Sequence, residues 1–485
     1  MRRQHHSISG SAPRPLLAAG LVAVATLVGG CASMQPGLGF DDVSKTAADR
    51  TGMKVHWNNG SAEDKEVAAA VTATLKEELT AGKAVQIALL NNHELQAVYE
   101  DLNIAQADLV QAGLLHNPVF SGEVRFATDG SGTAVVLDVA QDFVSLLSMP
   151  LRKGRAQAAF EAAKVRVSGE VLDMAFEVQT AFYDYQAAEQ AREMRQTVME
   201  ATAASYDLAK RLRAAGNNRD LDVSNERAMH EQAKIDLAAA EADVVRTRER
   251  MNALMGVWGE QTVAWHAAVR LPAVPESEVP FEGIERRAIE SSLDLSLLRR
   301  EMEVAARSAG IAKPFAWLDG ADVGAAAERE LEGGWSVGPS LSLPIPLFDQ
   351  GQARVGEAQA RYRQAAERMV ARAVEIRSRA RAAYSAVLST HDRARYYEKV
   401  ILPLKAQIVD QTQLQYNAMQ VSAFQLLQAR RDQITAGGEY VDSLHQYWQS
   451  RAVLDQILRG RMTPFEQTDR LTTAAPASAG AGDHR

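Results

Sequence analysis

No proline interrupts the chain between Pro150 and Pro272, and none between Pro346 and Pro403, and both intervals are rich in alanine. Proline ends helices because it lacks an N–H and its ring clashes with the preceding turn. Its absence over such distances predicts helices of abnormal length. About sixty helical residues reach ~90 Å, more than a globular domain accommodates, so the intervals predict helical hairpins packed side by side. Alanine at interfaces lets backbones approach closely, while Glu226, Arg227, Glu231 and Lys234 are expected to coat outer faces. Each long helix must reverse. The breaks are Ala214-Ala215-Gly216-Asn217-Asn218 and Asn417-Ala418-Met419-Gln420-Val421-Ser422. Gly and Asn tolerate the left-handed conformation that ends a helix. Asp220 or Asp222 at the first turn, and Ser422 at the second, can start the returning helices. The second turn has no glycine, which leaves its conformation open. Pro403 is expected to bend its helix.

These helices belong to an internal repeat offset by roughly 200 residues. Leu89-Leu90-Asn91-Asn92-His93-Glu94-Leu95 opens one copy and Ser291-Ser292-Leu293-Asp294-Leu295 the other. A strand-like region follows each, over 117–150 and 315–346. Then Pro150-Leu151-Arg152-Lys153-Gly154-Arg155 matches Pro346-Leu347-Phe348-Asp349-Gln350-Gly351. The organisation read from this is a leader over 1–30, an extended segment over 31–80, repeats over 81–272 and 273–460, and a low-complexity, disordered tail over 461–485.

The strand regions alternate in a way that suits a membrane. Along 335–343, Trp335, Val337, Leu341 and Leu343 fall on one face and Ser336, Gly338, Ser340 and Ser342 on the other. Val135, Leu137 and Val139 likewise oppose Asp138. This is the dyad pattern of an apolar-out, polar-in barrel strand. Hairpins are expected over about 118–143 and 318–344, turning near Asp129-Gly130-Ser131-Gly132 and Leu331-Glu332-Gly333-Gly334. Four strands cannot close a barrel, which needs about eight, and open edges in lipid leave costly unpaired amides. Three copies supply twelve. The fold class expected is therefore an α+β membrane protein, with four transmembrane β-strands per chain.

Only one cysteine is present, so no internal disulfide forms. Cys31 follows basic Arg2, Arg3 and Arg14, the apolar run 16–28 and the small residues Gly29-Gly30, the layout of a signal peptide. Val28-Gly29-Gly30-Cys31 resembles the bacterial lipobox, which implies lipidation of Cys31, and Ala32 after it implies sorting to the outer membrane. Cleavage removes three arginines and no acid, leaving a mature chain more acidic than the −8 of the full sequence. With a pI near 5.8, that charge argues against nucleic acid as a partner. No apolar run beyond the leader is long enough for a membrane-spanning helix. No His-Glu-x-x-His motif, cysteine pair, Gly-rich phosphate loop or Gly-x-Ser-x-Gly occurs. The metal and catalytic site expectation is thus none. Met419 at a tip is a weak candidate for a soft metal, and Trp258 is expected as a core or interfacial contact.

Taken together, the chain resembles the TolC-like outer membrane efflux protein family over about 80–460. The resemblance rests on Leu89-Leu90-Asn91-Asn92-His93-Glu94-Leu95, Ala112-Gly113-Leu114-Leu115-His116-Asn117-Pro118, Leu343-Pro344-Ile345-Pro346-Leu347-Phe348-Asp349-Gln350-Gly351 and Ala423-Phe424-Gln425-Leu426-Leu427-Gln428. The lipobox suits its lipoprotein branch. The resemblance implies a homotrimer in the outer membrane, with a twelve-stranded transmembrane β-barrel continued by an α-helical periplasmic barrel. It implies no catalytic site and no cofactor beyond the lipid on Cys31. It also implies two partners, a periplasmic adaptor and an inner-membrane pump of the resistance–nodulation–division (RND) type, and export of drugs or heavy-metal ions. Family members place a gate at the helical tips, where this chain offers Asp222 and Asn225 after the first turn and Gln425 and Gln428 after the second. The amides stand where the family often has acids, which implies a weaker cation preference. The competing readings are a periplasmic coiled-coil lipoprotein with a structural or adaptor role, and an exit duct for type I protein secretion.

Overall fold

The computed structural model describes residues 34–462, other than 129–131, 218, 279, 281, 316–320, 332 and 346. The leader, Cys31, the tail beyond 462 and the tip of the first hairpin lie outside the described residues. The chain runs α1 (Phe40–Thr51), α2 (Ala62–Leu75), β1 (Glu78–Leu79), α3 (Ala81–Asn91), α4 (His93–Ala112), β2 (Val119–Phe126), β3 (Thr133–Asp142), α5 (Phe143–Ala214) and α6 (Asp220–Met255). It continues through α7 (Gln261–Ala264), β4 (His266–Ala267), α8 (Ile284–Ser291), α9 (Leu293–Phe315), β5 (Asp322–Arg329), β6 (Trp335–Ser342), α10 (Gln352–Tyr396), a π turn (Tyr397–Ile401), α11 (Leu402–Asn417) and α12 (Ala423–Arg459). Helix α5 alone has 72 residues, about 108 Å of rise. It packs on α6 in one hairpin, and α10 and α11 pack on α12 in the other.

Two boundaries differ from the sequence reading. Helix α5 begins at Phe143, not after Pro150, because the Asp142 carboxylate caps it by accepting from Ser145 N–H at 2.8 Å. The helix then absorbs Pro150 in its second turn. The segment expected to be extended over 31–80 instead forms α1 and α2. Ser61 and Asp64 build a reciprocal capping box at the start of α2, satisfying otherwise orphaned N–H groups. Val43, Ala47, Val71 and Leu75 then enter the main core. Phe40, Trp57 and Tyr99 meet there with ring centroids 5.1–5.9 Å apart. The π turn lies directly before Pro403, as the missing proline donor predicts.

The duplication is visible in the middle of the molecule. In the first half Asn92 caps α4, accepting from Leu95 N–H at 3.1 Å. In the second half Ser292 does the same for Leu295 at 3.1 Å. Each cap receives the end of its own returning helix at a left-handed glycine. Gly256 (φ 65°) closes α6, and a Cβ there would sit 2.7 Å from Asn91 O. Gly460 (φ 104°) closes α12, and a Cβ there would come 2.2 Å from Ser291 O. Trp265, buried under the Arg248 guanidinium at 4.1 Å, anchors this zone. Trp258 is 76% exposed and is not a core residue of the protomer.

Candidate functional site

Strands β2, β3, β5 and β6 form one antiparallel sheet in that order, so the two hairpins lie side by side through β3–β5. The register aligns Phe120, Val139, Ala325 and Pro339 on one face, then Gly122, Leu137, Ala327 and Val337. Val124, Val135, Arg329 and Trp335 follow on the same face. Phe120, Phe126, Val337 and Leu341 are each about two-thirds exposed or more, as a surface meeting acyl chains requires. The opposite face carries Ser121, Glu123, Arg125, Asp138, Glu328, Ser336 and Ser340. Three of its charged groups, Glu123, Arg125 and Asp138, have local partners. Arg125 holds Glu123 with two bonds of 2.8 and 2.9 Å, and Ser340 Oγ donates to Asp138 at 2.9 Å. The outer edges of β2 and β6 have no strand partner among the described residues.

The helical tips form the other end. At the first turn Gly216 has φ 78°, with Gly216 N–H donating to Arg213 O and Asn217 N–H to Leu212 O, both at 2.9 Å. At the second, Met419 N–H donates to Tyr416 O and Gln420 N–H to Gln415 O, again at 2.9 Å. The two turns share one geometry. Met419 takes the left-handed position itself (φ 60°), as the one non-glycine at positive φ among the described residues. It is 95% exposed.

The sequence-selected tip residues have matched places. Asp222 and Gln425 each take the third position of their helix and reach back to the amide of the residue before it. Asp222 Oδ2 accepts from Arg219 N–H at 3.1 Å, and Gln425 Oε1 accepts from Ser422 N–H at 3.1 Å. Asn225 and Gln428, one turn further on, are exposed, and Gln428 donates to Asp432 at 2.8 Å. Two tip features were not singled out from sequence. Arg213 braces the first turn by a forked pair to Asp220, at 2.6 and 3.0 Å, and this hydrogen bond holds the Asp220 carboxyl below the usual carboxylate range. Glu226, expected on an outer face, is instead buried. It accepts from Ser205 Oγ on α5 and faces Arg431 on α12 at 3.7 Å, tying the two hairpins together. An i, i+7 brace across a turn is legible in retrospect, but the burial of Glu226 depends on which hairpin lies beside it. Among the described residues no group of three or more His, Cys, Asp or Glu is placed to hold a metal ion.

An open sheet, apolar on one face, above two helical hairpins of such length is the architecture of an outer-membrane duct. The family model for outer membrane efflux proteins matches residues 84–257 and 321–460. The chain belongs to the outer membrane efflux protein family. As an efflux protein it is a passive outer-membrane channel component and not an enzyme, and its family needs no cofactor. As a member of that family it is an outer-membrane protein. This efflux protein is 22% identical to the cobalt-zinc-cadmium resistance protein CzcC of Cupriavidus metallidurans, over 78% of this chain and 90% of that one. Its fold is similar to that of the Campylobacter jejuni CmeC outer membrane channel, with TM-score 0.66 and 14% identity, covering 80% of this chain and 88% of that one. It is also similar to the Neisseria gonorrhoeae MtrE outer membrane channel, with TM-score 0.64 and 18% identity, covering 78% and 88%.

Proposed function

We propose that this efflux protein is the exit duct of a heavy-metal pump. The observation that supports this is its likeness to a cobalt-zinc-cadmium resistance protein over nine-tenths of that protein's length. It favours metal export over drug export and over type I protein secretion. A duct does not need to bind its cargo, because the pump selects it. The test is tolerance. Deleting the gene in its host is expected to sensitise cells to divalent cobalt, zinc or cadmium and to leave drug tolerance unchanged. Sensitisation to drugs alone contradicts the metal assignment.

Two further assignments belong to this reading. Cys31 carries the lipid that anchors the mature N-terminus, so Cys31→Ser abolishes incorporation of labelled palmitate. Asp222, Asn225, Gln425 and Gln428 line the tip constriction, where three chains contribute one ring of Asp222 carboxylates. Arg219 stands 3.4 Å from that carboxylate and offsets part of its field, which fits a modest cation preference. In planar bilayers Asp222→Asn is expected to lower the cation-to-anion permeability ratio. An unchanged ratio removes Asp222 from the pore.

A further inference from the structure

The sheet is short for the bilayer it crosses. Three of its four strands have eight residues, about 26 Å of length and ~20 Å of height when tilted by ~40°. The apolar band of an outer-membrane barrel is ~25 Å tall, so segments flanking the strands must supply the remainder. On the helical side they do. Gln141, on the outward face of β3, leads through Asp142 to Phe143, which places Phe143 on that face, and Leu147 and Leu151 follow at helical spacing on α5. All three, with Leu146, are between 42% and 46% exposed. The second repeat matches this with Leu343, Ile345, Leu347 and Phe348, at 56% to 91%. Arg155 continues the first stripe one helical turn below Leu151; it is exposed and has no hydrogen-bond or ion-pair partner among the described residues. Arg307 adds a second cation, donating to Gly154 O at 2.8 Å. The nearby acid, Glu303, is already engaged by Arg300 and Arg307 at 3.2 and 2.6 Å.

We propose that Phe143, Leu147 and Leu151, with Arg155 beneath them, form a collar that binds anionic glycerophospholipids of the periplasmic leaflet. The apolar stripe takes up the acyl chains below the strands. The free Arg155 guanidinium meets the phosphates, where headgroups occupy the next ~5–8 Å of the membrane. Its flexible stem lets the charged end reach that layer from a tilted helix. The occupant is argued from charge and from continuity with the lipid-facing side of the sheet, so the collar rests on the outer-membrane channel reading.

The test uses the full-length trimer reconstituted with equal phosphatidylglycerol and phosphatidylcholine, then released for native mass spectrometry. The expected result is retained phosphatidylglycerol several-fold in excess, falling to parity in Arg155→Gln with single-channel conductance unchanged. A spin label at Leu147→Cys is expected to be more accessible to oxygen than to a water-soluble nickel chelate. Equal retention of both lipids by the parent protein overturns the collar. So does an undiminished preference in Arg155→Gln, or a label shielded from oxygen by a neighbouring subunit. Conductance separates the two readings, since a conducting trimer without lipid preference refutes the collar alone.

Discussion

Met419 shows how a single residue can carry a strain that its neighbours impose. A non-glycine in the left-handed region costs about 1–2 kcal/mol, and glycine gives back roughly 0.5–1 kcal/mol through its greater unfolded freedom. Met419→Gly is therefore expected to stabilise the second tip by up to ~1 kcal/mol, read as slower hydrogen exchange of the amides around 415–420. Met419→Val is expected to speed that exchange. At the first tip, Asp220 makes a pH prediction. Its carboxyl is held low by the Arg213 hydrogen bond, so the brace is intact above the ordinary carboxylate value of ~3.9 and is lost only as pH falls through the lower folded value. Wild type and Asp220→Asn should differ in tip exchange equally at pH 7 and pH 5, and converge only in stronger acid. The places where these tips turn were legible from Gly216, Asn217 and Asn417. The conformation of Met419 was not, because a left-handed methionine is disfavoured locally and is held only by the two bonds that close the helix end.

At the scale of elements, the long helices and the four strands follow from periodicity and from where proline is absent. The sequence reading failed where tertiary burial decided. Helices α1 and α2 form where an extended segment was expected because Val43, Val71 and Leu75 find a core built by distant helices. Glu226 is buried because α12 lies over it. The caps that join each returning helix to its own repeat are the most position-sensitive contacts. Gly460→Ala places a Cβ against Ser291 backbone oxygen and forces a left-handed alanine, and is expected to cost more than ~2 kcal/mol. Gly256→Ala should cost a similar amount against Asn91. Thermal unfolding of purified trimer, compared with an alanine at the unobstructed helical Gly310, checks both.

At the scale of the whole molecule, one polypeptide is incomplete. Its sheet ends in two open edges, its outward apolar face has nothing to cover it, and backbone amides left unpaired in hydrocarbon each cost several kcal/mol. Symmetric closure by identical copies is the least expensive resolution, and twelve strands fall within the range of closed membrane barrels. The need for sister chains was legible in the count of alternating segments, while their number, three, is what the family resemblance implied. Light scattering of the detergent-solubilised protein, with the detergent contribution subtracted, tests this most directly. The account predicts a mass of three polypeptides carrying a detergent belt. A single polypeptide with no bound detergent contradicts it.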